Sequence, residues 1–283
     1  RVSGYGWPIL VTLFVWWFST GLVLFAVRSP RASYRWSLWL ATGLLAVGLY
    51  GIAWSSGEAT VTGAYVAFLS ALLVWTWPEI TFLMGYITGP RPRPSPLRCG
   101  FWQKLGFATQ AVLYHELAIL AAGLAVLTLT WGAANQIGVA TFCVLWVMRL
   151  SAKLNVFLGV PNLAEEFLPR HLRHLKSYFR KAPMNVFFPL AVTAATLALG
   201  MLVQTAMAAD ASAFVTVGWT LVATLLALAI LEHWFLVLPL PDAALWSWAV
   251  KAAERQSRPT GGPSHHFTPA PSLIPATSTQ RRQ

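Results

Sequence analysis

The chain has 283 residues, 57% of them hydrophobic and 10% charged, with a formal net charge of +11. That composition and a mean hydropathy of +0.59 exclude an ordinary solvated globular surface. No basic module with interleaved aromatics turns the charge toward nucleic acid; the basic residues flank apolar runs, where membrane topology and anionic lipid account for them.

Seven runs are long enough to cross about 30 Å of hydrocarbon at about 1.5 Å per residue. They are 7–27, 36–54, 61–88, 105–130, 133–158, 185–207 and 213–239. Stretches such as Ala118 to Thr130 are apolar on every face, which fits helices and not the alternating strands of a membrane barrel. The expected fold is therefore an all-α polytopic membrane protein with seven transmembrane helices. Residues 1–239 form the membrane domain, 240–255 an interfacial helix and 256–283 a tail.

The first span has no small-residue cleavage site and is too long for a signal-peptide core, so it is read as retained. Of the twenty Lys and Arg residues, seventeen fall in 28–35, 89–104, 159–184 or after Pro239, while 55–60, 131–132 and 208–212 have none. The positive-inside rule then puts the amino terminus outside and the carboxyl terminus in the cytoplasm, with Arg1 the exception. Cys99 and Cys143 have no paired spacing, and a structural disulfide is not expected.

The loop 159–184 reads as an ordered amphipathic element. Asn162 is placed to cap a helix with Glu165 as its capping-box partner, and Leu163, Phe167, Leu168, Leu172, Leu175 and Phe179 recur near helical spacing. Pro169 should bend this helix or turn it into a hairpin lying in the membrane interface, with Arg170, Arg173, Lys176, Arg180 and Lys181 toward headgroups. His171 and His174, at i and i+3, share one face. They are interfacial polar residues or a cytoplasmic cap over a metal or tetrapyrrole. After the last span, Asp242 is the natural N-cap of an interfacial helix running from Ala243 to Arg255. Trp246 and Trp248 join Trp36, Trp39, Trp102 and Trp131 in an interfacial belt, or else line a pigment pocket. The tail is rich in Pro, Ser and Thr and reads as disordered; its His265–His266 pair gives a metal no fixed geometry.

Seven ionisable residues lie inside the spans: Glu79, His115, Glu116, Arg149, Lys153, Glu232 and His233. Counted from the span ends, they all sit roughly 8 to 17 Å below the inner surface. Each costs several kcal/mol in hydrocarbon, so a shared layer points to a built arrangement. Pro78 removes a helix N–H beside Glu79 and should kink that helix. Three readings stay open. In one, the carboxylates pair with Arg149, Lys153 and histidine and fix helix register. In the second, Glu79, His115, Glu116, Glu232 and His233 bind iron, zinc or manganese, although no HExxH or Glu-x-x-His spacing is present. In the third, His115 or His233 ligates a bacteriochlorophyll-type tetrapyrrole or its precursor, and Arg149 or Lys153 meets anionic groups of it.

The stretches NVFLGVPNLAEEFLPRHLRHLKSYF (Asn155 to Phe179) and LEHWFLVLPLPDAALWSWA (Leu231 to Ala249), with WPEITFLMGYITGPR around Glu79 and YHEL around His115, resemble the PuhE family of photosynthetic complex assembly proteins of purple bacteria. The resemblance covers roughly residues 5 to 255. It implies a multi-pass protein of the bacterial inner membrane, encoded with the reaction centre H subunit. The implied role is assembly of the reaction centre and light-harvesting complex or adjustment of bacteriochlorophyll supply. The implied partners are membrane lipids, reaction-centre or light-harvesting subunits and other assembly factors. It transfers no catalytic residue. The competing expectation is a membrane metalloenzyme, an oxidoreductase or hydrolase acting on a tetrapyrrole, quinone or lipid; a transporter finds no support in inverted repeats or paired broken helices.

Overall fold

The structure is a computed structural model that describes residues 2–163, 168–238 and 245–257. Its helices are α1 (Val2–Arg28), α2 (Tyr34–Ser55), α3 (Val61–Leu83), α4 (Phe101–Leu129), α5 (Ile137–Leu158), α6 (Phe187–Ala206), α7 (Ala213–Phe235) and α8 (Ser247–Ser257). The first seven elements are long and apolar enough to cross a membrane, the architecture of a multi-pass membrane protein. Cys99 and Cys143 are free thiols.

Helix α3 is the centre of the bundle, in contact with α1, α2, α4, α5 and α7. Its small residues Ala64, Ala67, Ser70 and Ala71 are buried and let neighbouring backbones come close. Ala64, Ala67 and Phe68 pack with Ile137 of α5 and Val217, Leu221, Val222 and Leu225 of α7. On the other side Ala71 and Val74 meet Ile52 of α2, Ile119 and Val126 of α4 and Phe142 of α5. Many outward side chains are apolar, among them Leu10, Leu40, Leu124, Leu190 and Leu197. This is the pattern of a surface solvated by lipid.

The helix ends are secured by asparagines, and all four in the chain serve this purpose. On one face Asn135 donates to the carbonyls of Ser55, Glu58 and Gly63, and its own carbonyl accepts from the Ile137 amide. On the opposite face, which carries the basic loops, Asn155 donates to Ser151 and Asn185 donates to Asn155 and Gly159. Asn162 donates to the carbonyls of Phe235 and Leu238. Asn162 thus closes the end of α7; the helix it was expected to cap falls on residues 164–167, Glu165 included, which lie outside the described residues.

Three expectations need correction. The third span was expected to run to residue 88, yet α3 ends at Leu83 because Gly85 takes φ +83, and Tyr86 and Ile87 turn back to donate to Thr81. The loop 159–184 holds no amphipathic α-helix among its described residues. A 3-10 helix spans Arg170–Tyr178, with the sequence RHLRHLKSY. Its three-residue period matches three residues per turn, so Leu172, Leu175 and Tyr178 share the buried side. They pack with Phe82 and Ala111, and the segment is tied to residues 84–100 by Arg91 to Tyr178 (3.2 Å), Tyr178 to the Arg93 carbonyl (2.9 Å) and the Ser95 amide to Ser177 (2.7 Å). Lastly, α8 is held against α1. The Trp17 indole donates to the Leu245 carbonyl (2.9 Å) and the Trp246 indole to the Trp17 carbonyl (3.1 Å). Trp246 is 6% exposed, unlike Trp36, Trp39, Trp102 and Trp131, which stay outward. The anticipated cap Asp242 and the tail from residue 258 lie outside the described residues.

The turn after α3 also fixes α4. The Thr88 carbonyl accepts from the His115 amide at 3.0 Å, and Gly89 lies against the α4 backbone. A Cβ at Gly89 would come within 2.1 Å of the Gln110 carbonyl oxygen and 2.7 Å of that of Ala111. Gly89→Ala should therefore destabilise the protein by about 1–3 kcal/mol in detergent unfolding, because neither backbone atom can yield cheaply. Gly106→Ala, within α4 and with open space around it, should be neutral or stabilising. Equal effects of the two would show that the close approach is absent.

Candidate functional site

The seven ionisable residues of the spans come from four helices, and the bundle sorts them into pairs. Glu79 is 8% exposed on α3, the most deeply packed helix. Its Oε2 accepts from the Arg149 guanidinium of α5 at 2.9 Å. One turn further along α5, Lys153 donates to Glu116 Oε1 of α4 at 2.6 Å. Arg149 and Lys153 share a helix face by their i, i+4 spacing, so two charges on one helix hold two different neighbours. This arrangement is the pairing reading of the layer.

His115 lies between these pairs and is fully buried. Its Nε2 is 3.9 Å from Glu79 Oε1, beyond hydrogen-bond length. Neither ring nitrogen has a hydrogen bond, nor does Glu79 Oε1. The ring is stacked on Phe82, centroids 4.3 Å apart. His115 is enclosed on all sides by the packed helices, with both ring nitrogens directed into the bundle interior.

Glu232 and His233 of α7 diverge, as adjacent helical residues must. His233 is 1% exposed and fully engaged: Nδ1–H donates to the Ala229 carbonyl at 2.8 Å, leaving Nε2 to accept from Ser151 at 2.9 Å. Glu232 points to the other side, where Trp16 of α1 donates its indole N–H to Oε1 at 2.7 Å. Arg149 lies within electrostatic range of Glu232 as well as of Glu79 and Glu116. Glu232 is exposed and the Arg149 side chain is 43% exposed, so the network has a closed half around Glu79 and His115 and an open half toward α1.

The proposed metal set is not brought to one point. Among the described residues no three His, Cys, Asp or Glu side chains are grouped so as to hold an ion. Glu116 is drawn to Lys153, His233 to Ser151 and Glu232 to Trp16. His171 and His174 lie in the basic-face segment: His171 Nε2–H donates to the Leu83 carbonyl at 2.8 Å, and His174 Nδ1 contacts the His171 carbonyl at 3.2 Å. Ser151 and Trp16 belong to the layer and were missed at the sequence level. Trp16 carried a signal, because a tryptophan in the middle of a span must find an acceptor for its N–H there.

Two outcomes follow from these contacts. Arg149→Met leaves Glu79 uncompensated and should cost roughly 3 kcal/mol, the lower end for a buried pair because Arg149 is partly exposed. The double variant Glu79→Gln, Arg149→Met should recover most of that loss; a coupling near zero in the mutant cycle would mean that the pair contributes nothing. Burial, with smaller contributions from Arg31 and His174, holds His171 below the ordinary histidine pKa, against the opposing influence of the Leu83 hydrogen bond. A depressed value in the folded state means that the undocked chain takes up the proton first, so docking is fully stable above the ordinary value and weakens as pH falls through it. Hydrogen exchange of residues 170–178, corrected for intrinsic rates, should show protection falling between about pH 7.5 and about pH 5.5. His171→Gln should remove that dependence; an unchanged slope in the variant would refute it.

No solved structure matches the chain. A Rhodobacter capsulatus protein described as an uncharacterized 30.4 kDa protein in the puhA 5′ region is 41% identical over 249 residues, which cover 87% of this chain and 90% of that one. Residues 2–257, all seven membrane helices included, match the family described as protein of unknown function DUF3623, and the chain belongs to that family.

Proposed function

We propose that the chain is an assembly factor for the bacterial photosynthetic reaction centre and light-harvesting complex, of the PuhE type, acting in the inner membrane. The observation that carries this reading is the position of the 41% identical relative in the puhA 5′ region. That position indicates a photosynthesis-related role, and the resemblance of residues 155–179 and 231–249 makes the role more specific. The concentration of basic residues on one face supports an amino terminus outside and a carboxyl terminus in the cytoplasm.

The geometry favours a binding role over catalysis. The layer is spent on holding helices together: Glu79–Arg149 joins α3 to α5, Glu116–Lys153 joins α4 to α5 and Trp16–Glu232 joins α1 to α7. Its open half places the partly exposed Arg149 side chain and the exposed Glu232 at membrane depth beside α1, where a polar group on a partner's membrane helix would find them. The metalloenzyme reading requires three or more ligands around one centre, and among the described carboxylates and imidazoles of the layer only His115 and Glu79 approach each other.

Deletion of the gene in its source organism should lower the near-infrared absorbance of assembled reaction-centre and core light-harvesting complexes. Tagged full-length chain should capture reaction-centre or light-harvesting subunits after cross-linking. Complementation with Arg149→Met that has been shown to insert and accumulate should restore assembly poorly. Normal complex levels in the deletion strain, with no captured subunit, would end this proposal.

A further inference from the structure

The basic face carries a second feature that the paired layer does not use. Between the end of α1 and the 3-10 segment is a cleft of about 630 Å³, lined by Val27, Arg28, Ser29, Arg31, Tyr34, Leu168, Pro169, Arg170, His171 and Arg173. Two parts of the chain about 140 residues apart therefore bring Arg31, Arg170 and Arg173 to the lining of one concavity, which is also bordered by Arg28, a residue with contacts of its own. Among the described residues the lining contains no Asp or Glu.

Both walls are built. On the first, the Tyr34 hydroxyl donates to the Val27 carbonyl at 2.6 Å, folding the start of α2 back onto the end of α1. Tyr34 and Val27 pack with Ala41, Ile80 and Met84. The second wall is the 3-10 segment, in which the three-residue period places Arg170 and Arg173 above one another on one side while Leu172 and Leu175 anchor the opposite side. His171 is fixed between the walls by its bond to the Leu83 carbonyl and lies within electrostatic range of Arg31. Topology alone requires only that positive charge be on this face; it does not require arginines from two distant segments to surround a single cleft. Guanidinium groups brought together around a concavity repel unless an anion joins them, and their planar forks match the oxygens of a phosphate.

We propose that this cleft binds a phosphate or diphosphate group, held by Arg31, Arg170 and Arg173, with Arg28, Ser29, Tyr34 and His171 completing its lining. The group is carried either by a phospholipid headgroup entering from the membrane surface or by a soluble phosphate ester. The inference does not depend on the assembly role and survives its failure.

The test uses the full chain in uncharged detergent. Inorganic pyrophosphate is titrated calorimetrically in one arm, and retention of added phosphatidylglycerol against phosphatidylcholine is read by native mass spectrometry in the other. Saturable binding in the first arm alone identifies a soluble phosphate; selective retention in the second identifies a headgroup. Either should weaken by at least about tenfold in Arg31→Gln, Arg173→Gln. Arg98→Gln, Lys251→Gln, which removes equal charge at exposed positions, should stay within about twofold of wild type. Should the first double variant prove misfolded by its melting temperature, Arg173→Lys keeps the charge, loses the fork and should still weaken binding severalfold. No binding in either arm would overturn the proposal and leave the arginines to carboxylates of this chain, such as Glu165 and Glu166, which lie outside the described residues. Equal loss in the two double variants would overturn it as well, since it would reduce the effect to net charge.

Discussion

A carboxylate at the centre of a helical bundle has to be compensated where it stands, and Glu79 is such a carboxylate. It lies on the helix that touches most of the others, so the requirement to place Arg149 against it constrains how α5 is rotated relative to α3. Once Arg149 is placed, Lys153 follows on the same face and meets Glu116, which sets α4 in turn. Two ion pairs thus orient three helices, and hydrophobic packing fills in around them. Apolar side chains alone cannot do this in lipid, because lipid tails satisfy them equally well on any face.

The rotation of α4 is reinforced from the end of α3. The turn at Gly85 brings Thr88 and Gly89 against α4, with the Thr88 carbonyl on the His115 amide. His115 is thereby directed at Glu79 by two independent constraints, one from the backbone and one from stacking on Phe82. The asparagines extend the same logic to the ends of the bundle. Non-helical backbone beside a membrane must have its carbonyls satisfied within the protein, and a short side-chain amide can reach two or three of them at once. Asn135 and Asn185 are therefore structural residues at positions that the sequence reading placed among the first residues of spans and gave no role.

The spans were legible because length and hydropathy decide them, and six of the seven end within a few residues of where apolar character ends. The exception, residues 84–88, remains apolar through MGYIT while the backbone turns at Gly85, a φ that the pattern does not reveal. Residues 170–178 failed for a different reason. Over nine residues a period of three and one of 3.6 place apolar positions almost alike, and the exact triplet RHL-RHL-KSY was the discriminating signal. The depth of the charged layer was readable by counting. Its pairing was not, because pairing depends on how helices are rotated against one another, and adjacent residues such as Glu232 and His233 face different neighbours.

Helix α1 connects the two polar features of the basic-face half. It is the least buried of the seven spans, and its mid-helix contacts are with α7 through Trp16 and with the 245–248 segment through Trp17 and Gly21. The Trp248 indole lies so close to Gly21 that any side chain there would displace it. Trp16 itself joins both partners, donating to Glu232 and meeting the edge of the Trp246 ring. Twelve residues on, about 18 Å along the helix, Arg28 borders the arginine cleft. Helix α1 thus borders the arginine cleft at one end and, at its middle, meets Glu232 of the charged layer, while packing against α7 and α8. The segment 245–248 holds the middle of α1 by two indole bonds at Trp17 and by the rings of Trp246 and Trp248 against Trp16 and Trp17, so this aromatic cluster and the Trp16–Glu232 bond fix α1 from two sides.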